Sequence, residues 1–178
     1  ICANVMCHIP DINDIAQGIS KLLTADGVLI FEEPYLGDMV AKTSYDQIYD
    51  EHVFLFSALA IQYLFGLHGM ELIDILPQKT HGGSMRYVLA HQGAHPVKEA
   101  VTQTLAKEKA QGLGSLATFE TFRANVEQSR SDLVSLLKDL KAQGKKGREL
   151  FSAIGKELGK MYREQKKTYK MDDDDDMK

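Results

Sequence analysis

Three short segments at the head of this 178-residue chain constrain its fold more than anything else in it. An apolar run occupies residues 1–7, Ile12, Ile15, Ile19 and Leu22/Leu23 follow at helical spacing, and a second apolar run, Val28-Leu29-Ile30-Phe31, is entered through Asp26-Gly27. Strand, helix, strand is the reading, with Asp11 or Asn13 able to cap the helix. A helix between two strands is long enough to carry the chain back along the sheet, so the two strands run parallel. Pro34 ends the second strand, and residues 35–52, rich in acids and tyrosines, interrupt the alternation. A helix over about 57–68 comes next, with Gly69 at its C-terminal cap. Strands are expected at 70–76 and 85–90, joined by a glycine-rich loop as an antiparallel hairpin.

From about His95 onward the pattern turns helical: 97–111, a longer amphipathic stretch 116–142, and a basic, less regular stretch 147–168. Phe119, Phe122, Val126, Leu133, Leu136, Leu137 and Leu140 are placed on one face of the middle stretch, and Gly112-Leu113-Gly114 breaks it from the first. The acidic run at 172–176 repels itself and is expected to be disordered, as a solubilising tail.

Charge divides the chain. Residues 1–96 hold 4 Lys/Arg against 11 Asp/Glu, whereas 97–170 hold 16 against 9. In the basic part the signs alternate along helical patterns without interleaved aromatics, as on a solvated helical face, which argues against nucleic-acid binding. No apolar run approaches the roughly 18 residues a membrane span needs, and no secretory signal opens the chain, so a cytoplasmic setting is the expectation. Cys2 and Cys7, five apart on an expected strand, would face opposite ways, which argues against a bridge or a shared metal, and no metal site is expected.

Three clusters of residues carry chemistry. In Tyr49-Asp50-Glu51-His52 a phenol and an imidazole lie three apart with a carboxylate just before the imidazole. Histidine titrates near neutrality and can take a proton from carbon next to a carbonyl, with Tyr49 or Glu51 orienting it or supporting the enolate. The plainer reading makes the same run an acidic helix start with a packing histidine. His81-Gly82-Gly83-Ser84-Met85-Arg86 offers close backbone approach, a hydroxyl and a guanidinium fork suited to phosphate, or else an ordinary hairpin loop. Glu33 and Tyr35 follow the second strand, and Asn4 and His8 the first, at the carboxyl edge where open α/β sheets bind ligands. Asn4 and His8 serve equally well as strand-ending polar groups.

Taken together, Asn4-Val5-Met6-Cys7-His8-Ile9, Phe31-Glu32-Glu33-Pro34-Tyr35-Leu36, Tyr49-Asp50-Glu51-His52 and His81-Gly82-Gly83-Ser84-Met85-Arg86, in this order, resemble the S-adenosylmethionine-dependent nucleotide-sugar C-methyltransferases. The resemblance runs from residue 1 to about Lys145. It implies an α/β fold, the second half of a class I methyltransferase (Rossmann-like) sheet followed by an α-helical C-terminal extension. Residues 1–94 would belong to the methyltransferase domain, 95–146 to a helical linker and the start of the C-terminal domain, 147–170 to an unaligned helical segment and 171–178 to the acidic tail.

The resemblance also assigns roles. His52 would be the base that removes a proton beside the keto group of a 4-keto-deoxysugar nucleotide, with Tyr49 and Glu51 as its partners. By position and residue type, not by the resemblance, Asn4 and His8 would line the S-adenosylmethionine cleft, and Glu33, Tyr35, His81, Gly82, Gly83, Ser84 and Arg86 would face the sugar nucleotide. No G-x-G-x-x-G-like run is present, so the loop that holds the cofactor's methionine and ribose is expected to be missing and the chain alone inactive. A helical protein-interaction module built on 116–142 is the competing expectation. A hydrolase using His52 or His81 with Ser84 ranks below both, because no Gly-x-Ser-x-Gly elbow occurs.

Overall fold

The computed structural model describes residues 1–168, so the expectation for 172–176 lies outside the described residues. Two compact units divide the described residues, the first spanning 1–126 and the second beginning at Glu127. The first is built on a four-stranded sheet of β1 (Cys2–Ala3), β2 (Val28–Pro34), β3 (Met70–Gln78) and β4 (Ser84–His91), in the order β1-β2-β4-β3. β1 and β2 are parallel, and β4 is antiparallel to both β2 and β3. The antiparallel closing pair is therefore present, with β4 inserted between β2 and β3. Its place at the edge of the sheet explains why β3 tolerates Pro77, which has no N–H to give to a further strand.

The first strand is shorter than the expected 1–7. Pairing with β2 ends at Ala3↔Glu32, and Met6–His8 form a 3-10 turn instead. A competing acceptor accounts for the difference: Val5 N–H and Met6 N–H donate to the buried Glu33 Oε1 at 2.9 and 2.7 Å, which pulls the chain off the ladder. Asn4, at the departure point, takes φ 52°. The opposed-face argument for Cys2 and Cys7 rested on a continuous strand and lapses with it; both thiols are free.

Helix α1 (Ile12–Leu22) begins where expected, with Asp11 accepting from Asp14 N–H. α3 (Ala58–Gly66) is capped by Ser57, whose hydroxyl accepts from Ala60 N–H. Between them the interrupting segment holds a helix the periodicity did not mark, α2 (Leu36–Lys42), ended by Thr43 at φ 53°. Seven residues with a glycine in the first turn are too few for a helical pattern to stand out. α4 (Glu99–Ala110) packs on β3 and α3. Phe31, Phe65 and Tyr87 meet at ring-centroid distances of 5.0–6.0 Å from Phe31, and with Ile61, Leu72, Leu89 and Val101 they fill one core.

α5 (Leu116–Ala142) and α6 (Gly147–Thr168) reproduce the two long helical stretches. Along α5, Phe119, Phe122, Val126, Leu133, Leu136 and Leu140 are buried or half-buried, while Leu137, expected on the same face, is exposed. None of the described helices is long and apolar enough to cross a membrane.

Candidate active site

The carboxyl end of β1 and the segment after α2 are stitched together by backbone. Val53 N–H and Phe54 N–H both donate to the Cys7 carbonyl, at 2.9 and 3.2 Å. This brings the 49–52 run against the 3-10 turn that carries Cys7 and His8. The His8 and His52 rings lie 5.1 Å apart, and Tyr49 lies 4.0 Å from His52, centroid to centroid.

Hydrogen bonds fix the state of His52. Its Nδ1 lies 2.8 Å from the Gln47 carbonyl, which can only accept, so Nδ1 carries the proton. In the neutral ring Nε2 then bears a lone pair, and the Tyr49 hydroxyl, 2.7 Å away, donates to it. His8 is held likewise, Nδ1 donating to the Glu51 carbonyl at 2.7 Å. Glu51 thus meets the cluster through its backbone, with its side chain exposed. Residues 49–52 form no helix: His52 N–H donates to the Tyr49 carbonyl in a single turn.

Cys7 lies at the floor of this cluster. Burial pushes its thiol up to about 12, and the Glu33 carboxylate beside it adds to the rise. In the unfolded chain the thiol ionises near its ordinary 9.0, so between pH 9 and about 12 the unfolded state holds fewer protons than the folded one. Stability from this group is complete below pH 9 and falls as pH rises through that window. Urea titrations of wild type and Cys7→Ser from pH 8 to 11 are expected to show a shallower alkaline decline in the variant. Superimposable declines would show that Cys7 is not the group responsible.

The second constellation forms a separate rim. Thr80–Gly82 make a 3-10 turn with His81 at φ 53°, and Gly83 follows at φ 139°. The turn is anchored from α2: Tyr35 N–H donates to the Gly83 carbonyl at 3.1 Å, and Lys42 Nζ donates to the Gly82 carbonyl and to Asp38 Oδ2. A side chain at Gly83 would strike Asp38, meeting both its carboxylate and its Cβ. With the positive φ added, Gly83→Ala is expected to destabilise the first unit by about 1–3 kcal/mol, read as a lower urea midpoint. Gly82→Ala, with nothing near its Cβ, is the milder control; equal losses would remove the steric argument.

Other expected substrate residues lie deeper. Ser84 is buried and donates to the Thr80 carbonyl, Glu33 is buried beneath residues 5–7, and the Tyr35 hydroxyl donates to Glu108. Arg86, opposite Glu32 in the β2–β4 pairing, donates to Glu32 Oε2 from both Nε and Nη2. A crevice of about 10 Å³ lies among Tyr35, Met39, Gln47, His81 and Gly83. Gln47 links the two constellations, its carbonyl holding His52 while the residue lines this crevice. Asn4 is exposed at the carboxyl end of β1.

Glu108 escaped the sequence reading. Fully buried on α4, it accepts from the Tyr35 hydroxyl and Ala58 N–H at Oε1 (2.9 and 2.7 Å) and from Leu59 N–H at Oε2 (2.9 Å). The signal was present: Val101, Leu105 and Glu108 follow the i, i+4, i+7 pattern of one helix face, with a carboxylate in an apolar row. Burial and the neighbouring Glu108 hold the Tyr35 phenol above its ordinary range, so its hydroxyl stays a donor.

Residues 79–149 match the family of C-methyltransferase C-terminal domains. The C-methyltransferase NovU of Streptomyces niveus is 34% identical over 158 residues, which cover 83% of this chain and 38% of the relative. Over most of its own length the chain is similar to a C-methyltransferase. The family match takes in His81, Gly83 and Glu108. The chain spans about 38% of the length of the curated relative it matches.

Proposed function

We propose that this chain carries the proton-abstracting part of an S-adenosylmethionine-dependent C-methyltransferase acting beside the keto group of a deoxysugar nucleotide. One observation carries the reading: His52 is locked by Gln47 in the tautomer whose Nε2 lone pair points to the half-exposed Tyr49 hydroxyl. That is the state a general base needs. His52 takes the α-proton at Nε2, the C–H electron pair passes into the enolate, and Tyr49, released from Nε2, donates to the enolate oxygen.

When bound, the cofactor would supply a cationic, electrophilic methyl group for the enolate carbon. The donor set at the β1 edge suits its reactive end: exposed Asn4 offers an amide, His8 an imidazole Nε2, and the first 96 residues carry an excess of seven negative charges (4 against 11) that favours a cation. On this reading exposed His81 and Gly82 form the rim that meets the sugar nucleotide. Glu33, Tyr35, Gly83 and Ser84 act from beneath by holding that rim, and Arg86 meets a phosphate only by leaving Glu32.

Proton abstraction can be followed without methyl transfer. Incubated in D2O with a 4-keto-deoxysugar nucleotide, the protein is expected to exchange the α-hydrogen for deuterium, read by NMR or mass spectrometry. Exchange no faster than in buffer would remove the base from this chain. Exchange confined to other carbons would change the substrate class instead.

A further inference from the structure

We propose that Cys7, His8 and His52 form a binding site for a soft divalent cation of the zinc class. One sulfur and two ring nitrogens, one from each residue, lie within 4.8 Å of one another. Zinc–nitrogen and zinc–sulfur bonds of about 2.0–2.3 Å set ligand separations near 3.5 Å, so a closure of about 1 Å completes three corners of a tetrahedron. The set is the borderline-soft S/N/N kind that selects zinc, cobalt or copper over magnesium or calcium.

Two features prepare these side chains as ligands. Both imidazoles give their Nδ1 proton to a backbone carbonyl, His8 to Glu51 and His52 to Gln47, which leaves Nε2 as the donor of each. Carbonyl-held imidazoles of this kind are the usual outer shell of zinc sites. The backbone bonds from Val53 and Phe54 to the Cys7 carbonyl hold the two ligand-bearing segments in register.

A second, independent observation points to a cation. Glu33 is fully buried, and its Oε2 meets no N–H or O–H group among the described residues; the donor beside this carboxylate is the Cys7 thiol. A buried carboxylate served at this side only by a thiol, a weak donor, is costly unless positive charge lies near it. A metal held by Cys7 supplies that charge, with the thiol proton leaving to solvent as the metal–sulfur bond forms.

A metal on His52 Nε2 takes the place of the proton that the Tyr49 hydroxyl now donates to that nitrogen. Metal entry takes the Nε2 lone pair and breaks that hydrogen bond, so the metal-bound protein has no free base. This consequence rests on the reading of His52 as base; the site itself does not.

The test is a titration of the reduced 178-residue chain with Co2+ alone. Wild type is expected to develop a thiolate-to-cobalt charge-transfer band with tetrahedral d–d bands, displaced by Zn2+. The charge-transfer band should vanish in Cys7→Ser and persist in Cys2→Ser. His8→Gln and His52→Gln should each weaken Co2+ by more than about tenfold. Zinc should also protect His52 from diethylpyrocarbonate, which binding at sulfur alone would not do. A wild-type chain without the charge-transfer band, a band that follows Cys2, or His variants that bind as wild type would each overturn the site. Tight binding by a chain whose α-hydrogen exchange survives His52→Gln would leave the site standing and remove the base assignment.

Discussion

Glu108→Ala is expected to lower the stability of the first unit by about 3–5 kcal/mol, more than any surface change in the protein. The carboxylate is fully buried and accepts three hydrogen bonds: two from the opening amides of α3 and one from Tyr35. Alanine leaves two buried donors and one half-buried donor without partners, and a cavity where the side chain stood. The negative charge also lies at the positive end of the α3 dipole, where charge-assisted bonds are about twice as strong as neutral ones. Glu108→Gln keeps the shape but turns an amide N–H2 toward a donor, so its loss should fall between wild type and alanine. Tyr35→Phe removes one bond and should cost about 1 kcal/mol. Urea unfolding reads all three as shifts in midpoint at constant slope. A loss under 1 kcal/mol for Glu108→Ala would mean that water replaces the carboxylate and that α3 does not depend on it.

Glu108 also marks where sequence reading stops. Elements with long periodicity and clear punctuation were legible: α1 with Asp11, the start of α3, though it ends at Gly66 with Leu67 and not Gly69 as its C-cap, the β3–β4 pair, and the three C-terminal helices to within two residues at most. What escaped depends on contacts between segments far apart in the chain. β1 stops after two residues because a glutamate 27 positions later takes the Met6 amide. α2 is short and held from outside by residues 56 and 82–83. The candidate site divides the same way. Neighbours in sequence, Tyr49 and His52, were legible as a pair, whereas the joining of Cys7 and His8 to them needed the 7–53 and 7–54 backbone bonds. Arg86 reads as a free phosphate fork in one dimension and as the partner of Glu32 in three.

His52→Gln is expected to slow α-hydrogen exchange, and methyl transfer where it is measured, by about 10²–10⁴-fold, the range general-base catalysis supplies. Glutamine can still donate to the Gln47 carbonyl and accept from Tyr49, so the fold of residues 45–54 should hold, and circular dichroism with an unchanged urea midpoint would verify that. What it lacks is a nitrogen lone pair basic enough to keep the proton. Tyr49→Phe separates the two roles in the dyad. It frees Nε2 from its hydrogen bond while removing the donor proposed for the enolate oxygen. If the phenol stabilises the enolate, exchange falls by about one to two orders of magnitude, at the lower end of what one such donor contributes. If it only masks Nε2, exchange rises. Since Tyr49 is about half exposed, its loss should leave stability nearly unchanged, which keeps either result interpretable as chemistry. A His52→Gln variant that exchanges as fast as wild type would move the base elsewhere in the cluster, with His8, whose Nε2 is likewise the unprotonated nitrogen, next in line.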